Sequence, residues 1–348
     1  MTVPRTEQEP RTPAEEGLPA RRRGRIERWL GPDMYRLLRG LVRNPLSIMG
    51  LVLLGFFVFV AVAAPVLAPP RDPEFAYQIP RDGFGPNPKP PGSPWRVRQP
   101  PLPFWWKPIM GTDQWIHIMG TASGQWDIYY GVVWGTRTAF KVGVIITVSV
   151  ALIGIVVGSI SAYYGGWVDM VLMRITDIFL SFPFLLAAMT LSAILTPVLG
   201  KSLLPATIAL ITFGWMGYAR LIRSDILSIK EREYVLAAKV IGASDARILL
   251  RHILPNAIFP TIVVASMDMG SYVLTFAALS FLGIGAEVGY ADWGQLLSFA
   301  RDWITNLADY WYIVVFPGIA LVLFVLAWNL VGDALRDILD PRLRGRKA

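Results

Sequence analysis

Six apolar runs govern what this chain can fold into. They lie near 46–68, 139–163, 177–198, 205–222, 257–281 and 311–331. A hydrocarbon layer of roughly 30 Å is crossed by about 20 helical residues, and each run is suited to that task. With 54% hydrophobic and 17% charged residues, the chain is more apolar and less charged than a soluble domain of its length. The expected fold class is an all-α integral membrane protein with six transmembrane helices. The motif AVAAP near residue 65 mimics a cleavage site, but the run before it is long and starts late for a signal peptide.

Basic residues set the expected orientation. They cluster in RRRGRIER (21–28), in the segment 223–251, and in the closing RLRGRKA. The stretches 200–205 and 282–310 carry one basic residue each, and the latter adds four acids. An even number of spans with both termini in the cytoplasm satisfies all three clusters. The net charge of +8 then reflects orientation and anionic lipid rather than nucleic acid.

The expected organisation is a cytoplasmic tail (1–45), a first span (46–68), an external Pro/Trp-rich segment (69–138), a five-helix core (139–331) and a cytoplasmic tail (332–348). Residues 1–20 have a disordered composition. Residues 26–43 fit either an amphipathic surface helix or a plain positively charged anchor. The prolines of 69–110 argue against regular structure, and Trp105 and Trp106 suit the headgroup level. No internal repeat is visible.

Catalytic signatures are absent. The sequence has no phosphate-cradling P-loop, no H-E-x-x-H and no G-x-S-x-G. Without cysteine, and with His117 and His252 alone, no thiolate metal site can form. Asp268 is the one clear carboxylate deep inside an apolar run. Its cost facing lipid is a few kcal/mol or more, so it faces protein or water. Substrate contact and a bond to a partner subunit both satisfy that condition. Ser266, Met267, Met269, Ser271 and Thr275 lie near it and suit either a cavity wall or helix–helix contacts.

The segment EREYVLAAKVIGASDARILLRHILPN (231–256) lies on the cytoplasmic side between the fourth and fifth runs. Helix formers run from Glu233 to Ile241. Gly242 suits a helix end, where positive φ is easiest without a Cβ. Ala243 follows, Ser244 suits a cap of the next helix, and Leu254-Pro255 is expected to stop it, while Pro255 also suits the start of the fifth span, where its missing N–H costs nothing. Ala237 and Ala238 permit close approach to another surface, or simply favour helix in a surface linker.

This segment resembles the EAA loop of ABC importer permeases, E-A-A-x3-G-x9-I-x-L-P. Ala237, Ala238, Gly242, Leu254 and Pro255 keep their positions, while Leu236 replaces the Glu and His252 the Ile. The resemblance extends over roughly 35–345. It includes VDMVLMRITDIFLSFPFLL (168–186), SFLGIG (280–285) and FPGIALVLFVLAWNLVGDALRDILDPRLR (316–344). These look like the C-type permeases of dipeptide, oligopeptide and nickel importers. Before the second run that family has G-T-D-x-x-G-R-D. Here Gly120, Thr121 and Asp127 match, whereas Ala122, Gln125 and Trp126 replace Asp, Gly and Arg.

The resemblance implies a type I ABC importer permease fold in a bacterial or archaeal cell membrane. The chain would form half of a pathway for peptides or related solutes, beside a second permease. Two ABC ATPase subunits would bind ATP and Mg, and an external binding protein would deliver substrate. No cofactor or catalytic residue is implied in this chain. The implied coupling residues are Glu233, Leu236, Ala237, Ala238, Gly242, Ala243, Ser244, Leu254 and Pro255. Asp268, Ser271, Thr275 and Met267 are candidate pathway residues. The alternatives are an importer of nickel chelates or other solutes, and a membrane scaffold that docks a cytoplasmic partner. An ion-coupled carrier is disfavoured by the missing repeat pairs.

Overall fold

The computed structural model describes residues 44–339, Arg98 excepted, so the expectations for 1–43 and for the end of the C-terminal tail lie outside the described residues. The main helices are α1 (Pro45–Leu67), α2 (Ile128–Tyr164), α3 (Gly166–Leu180), α4 (Phe184–Leu199), α5 (Leu203–Gly214), α6 (Met216–Lys230) and α7 (Glu233–Val240). They continue with α8 (Leu254–Phe281), α9 (Trp293–Ser298) and α10 (Tyr312–Leu339). Asn44 caps α1, its side chain accepting from the Leu46 amide at 3.1 Å.

Four helical segments among the described residues are long and apolar enough to cross a membrane: Pro45–Leu67, Ile128–Tyr164, Asp245–Phe281 and Tyr312–Asp337. The run expected at 177–198 is divided between α3 and α4, which meet at 86° across Ser181–Pro183 and make a fifth span if counted together. Pro183 explains the break, because its ring disfavours helix at Phe182. The run expected at 205–222 is divided between α5 and α6, of 12 and 15 residues. The expected count of six spans is therefore not confirmed.

α2 begins at Ile128, well before the expected 139. Asp127 caps it, Oδ1 accepting from the Tyr130 amide at 2.8 Å. Its 37 residues reach about 55 Å, well beyond a hydrocarbon core of about 30 Å. The surplus carries Ile128, Tyr130, Val133 and Trp134, all buried in the core shared with 68–126 and α9. Helix packing inside the apolar region relies on small residues. A Cβ on Gly158 would lie 2.2 Å from the Ala219 carbonyl oxygen, so α2 and α6 approach nearly backbone to backbone.

The segment 68–127 has little regular structure, as expected, yet it is packed. Trp106 is buried, its ring 4.4 Å from Trp115, and its Nε1 donates to the Gln114 carbonyl at 3.2 Å. The headgroup role expected for this residue is thus corrected. Among the described residues no strand ladder forms here, and indoles packed edge to face supply the core of this cap.

Candidate functional site

The hairpin after α6 is built around Gly242. α7 ends in a Schellman motif: the Gly242 amide donates to Lys239 O at 3.0 Å and the Ala243 amide to Ala238 O at 3.1 Å. Gly242 has φ +79°, the left-handed conformation its lack of a Cβ makes inexpensive.

The two alanines face opposite ways. Ala238 is 5% exposed and packs, with the fully buried Val235, against Ala162, Tyr163, Ile222 and Ile226. Ala237 is exposed. Ala238 therefore does not present itself to an outside surface; its small size lets α7 lie close on its own chain. The outward tip is apolar instead. Val240 is 87% and Ile241 82% exposed, beside the half-exposed Leu236 and the exposed Gly242. Glu233 sits in the first turn of α7, where its charge suits the dipole, and is exposed. Ala243 and Leu254 pack on the inner cluster.

Ser244 occupies the cap position, but its side chain makes no capping bond. The next residue is tied instead: the Tyr163 hydroxyl donates to Asp245 Oδ1 at 2.6 Å. Nor does Pro255 stop the second helix. A helical turn at Asp245–Arg247 passes through a π-helical turn, Ile248–Ile253, into α8, giving one helical rod from Asp245 to Phe281. The wider π turn accommodates a residue that lacks an N–H and whose ring would crowd the carbonyl four residues back. The elbow thus joins directly to a membrane-spanning helix.

Asp268 lies near the middle of α8, half-buried, and its Oδ2 accepts from the Tyr218 hydroxyl at 2.7 Å. A cavity of about 300 Å³ opens beside it, and Ser271 and Thr275 also line it. Met267 does not. It points to α10, where a Cβ on Gly332 would meet its Cγ at 2.2 Å.

A third cluster was not anticipated. His117 is fully buried between two acids, Nδ1 2.6 Å from Asp127 Oδ2 and Nε2 3.2 Å from Asp82 Oδ2. Lys89 pairs with Asp82, whose Oδ1 accepts the amides of Arg96 at 2.9 Å and Val97 at 2.5 Å. Burial pushes the Asp82 carboxyl up, but Lys89, the Val97 amide, His117 and the Arg96 amide outweigh it and hold it at about 2. The motif match at Gly120, Thr121 and Asp127 was the one available signal. Gln125, standing where the resembling motif has Gly, adopts φ +61°. Trp126, standing where it has Arg, lies 4.5 Å from the Arg81 guanidinium.

Comparison with known proteins places this geometry in context. Residues 154–345 match the family model of the binding-protein-dependent transport system inner membrane component. Residues 34–90 match the N-terminal transmembrane domain of oligopeptide transport permease C. The dipeptide transport system permease protein DppC of Alkalihalophilus pseudofirmus is 35% identical over 87% of this chain and 88% of its own length. DppC of Bacillus subtilis is 32% identical over 88% and 85%. The glutathione transport system permease protein GsiD of Pectobacterium atrosepticum is 37% identical over 66% and 73%.

Proposed function

The chain belongs to the binding-protein-dependent transport inner membrane family, as a C-type permease, and on that premise we propose how it works in a peptide importer. It is a permease subunit of a multi-pass membrane transport system. It supplies half of the translocation pathway, and a second permease supplies the other half. Two ABC ATPase subunits bind ATP and Mg, and an external binding protein delivers di- or oligopeptides. Both termini lie in the cytoplasm, in keeping with the basic clusters at 21–28, 223–251 and the C-terminus.

The observation that carries the mechanism is the continuity of elbow and rod. An exposed apolar tip, Val240 and Ile241, protrudes beside Gly242, and the chain leaving that elbow is the same helix that holds Asp268. We assign the tip to a groove of one ATPase subunit, with Leu236, Ala237 and Glu233 at its edge. Closure of the ATPase pair on ATP moves the tip. The inner face of α7 is packed on α2 and α6 through Ala238, so the displacement passes into three helices together. Inverting a two-state equilibrium from 1:99 to 99:1 takes about 5.5 kcal/mol of differential binding, which suits a packed surface better than one ion pair.

The test is uptake of labelled dipeptide by proteoliposomes holding this chain, the second permease, both ATPases and the binding protein. Uptake that requires ATP and fails when any one component is left out is the expected result. Uptake without ATPases, or none with all components present, would overturn the reading.

A further inference from the structure

We infer that Asp268 receives the protonated amino group of a passing peptide, in a chamber whose other walls suit apolar side chains; this rests on the importer reading above. The carboxylate accepts one hydrogen bond, from Tyr218, and among the described residues no cation pairs with it. The two arginines nearby on α6 are engaged elsewhere. Arg220 pairs with Asp177 at 2.5 Å, and Arg223 holds Asp169 through two bonds of 2.6 Å. A carboxylate at mid-span therefore lacks a counter-charge among the described residues, an arrangement that is costly unless something supplies one.

The surroundings favour a mobile cation. The chamber of about 300 Å³ is walled by Phe179, Phe182, Phe184 and Phe213, with Asp268 and Ser271 among the polar groups. A volume of that order matches the lower range of small-molecule sites. Aromatic faces attract an ammonium and also cover aliphatic side chains. The wall is formed where α3 and α4 meet at 86°, and Ser181, Phe182 and Pro183 are exposed there. Non-helical backbone at membrane depth is tolerated against protein or a water-filled space, not against lipid. The broken helix and the carboxylate therefore open on the same non-lipid space.

The experiment compares Asp268→Asn and Asp268→Glu in the full reconstituted assembly, with dialanine as probe. Asn is nearly isosteric and still accepts from Tyr218, so a purely structural Asp–Tyr bond survives that change. The expected result is that Asp268→Asn slows dialanine uptake about tenfold or more, the factor for one lost charge-assisted bond. Asp268→Glu restores most of the rate, and both variants retain the second permease and ATP hydrolysis. Uptake by Asp268→Asn equal to that of the unaltered assembly overturns the inference. So does loss of the second permease on purification, which would assign the carboxylate to the subunit interface. An unaltered assembly that never imports dialanine defeats the peptide reading itself, and this inference with it.

Discussion

The Tyr163 hydroxyl donates to Asp245 Oδ1 at 2.6 Å, joining the last turn of α2 to the first turn beyond the Gly242 elbow. The far end of α2 is capped by Asp127, whose carboxylate also holds His117. One helix thus touches both the indole-rich cap and the Gly242 hairpin. Tyr163→Phe removes the hydroxyl and leaves the ring in its cluster. A hydrogen bond to a charged group contributes about 1.5–3 kcal/mol, so local opening of 233–248 rises by at least tenfold. Hydrogen exchange of the α7 amides reads this, with slower import at retained ATP hydrolysis. Unchanged exchange would show that packing alone seats the hairpin.

Substitutions one turn apart on the hairpin are expected to fail differently. Val240→Asp and Ile241→Asp change exposed side chains, so the chain folds and inserts but loses its ATPase subunits on purification. Ala238→Asp buries a carboxylate against Tyr163 and Ile222, at a cost of several kcal/mol. The expected outcome is loss of folded protein. Retention of the ATPases by the Val240 and Ile241 variants would remove the tip from the interface.

Acid is expected to loosen the indole-rich cap. The Asp82 carboxyl sits at about 2 in the folded chain against an ordinary value of 3.8. A depressed carboxylate stabilises the fold above its unfolded value, and that contribution disappears as pH falls from about 4 to about 2. Trp95 lies 4.3 Å from the His117 ring, and Trp115 is fully buried nearby. Tryptophan emission should therefore shift to the red across that interval. Asp82→Asn should remove this acid-dependent step and lower stability at neutral pH.

Gln125 holds a left-handed conformation where the resembling motif has Gly. Replacing it by Ala or by Gly discards the same side-chain contacts, but only Gly relieves the Cβ. The Gly variant should exceed the Ala variant by about 1 kcal/mol, seen as a higher thermal midpoint of the purified assembly. Equal midpoints would indicate that the loop relaxes around the residue.

By itself the sequence determined the membrane class, the positions of α1 and α8 and the start of α10 within a few residues, and the elbow at Gly242; α10 continues to Leu339, past the expected end at 331. These follow from apolar run length and from the φ requirement of one position, which are local properties. Local rules also misled where a neighbour intervened. Pro255 stands in the first turn of α8, as its missing N–H allows, but it does not also end the helix before it, because a π turn carries the chain into α8 without a stop. Ala237 and Ala238 looked equivalent, yet a rotation of about 100° per residue puts one outside and one inside, and only the position of α2 and α6 decides which. The network around His117 was the least legible part. His117 meets Asp82 across 35 positions and Asp127 across 10, through a Pro-rich segment that carries no periodicity. Which acids surround that imidazole depends on how irregular backbone stacks around its indoles. That is a property of the packed chain as a whole, because no local pattern fixes the path of a segment without helix or sheet.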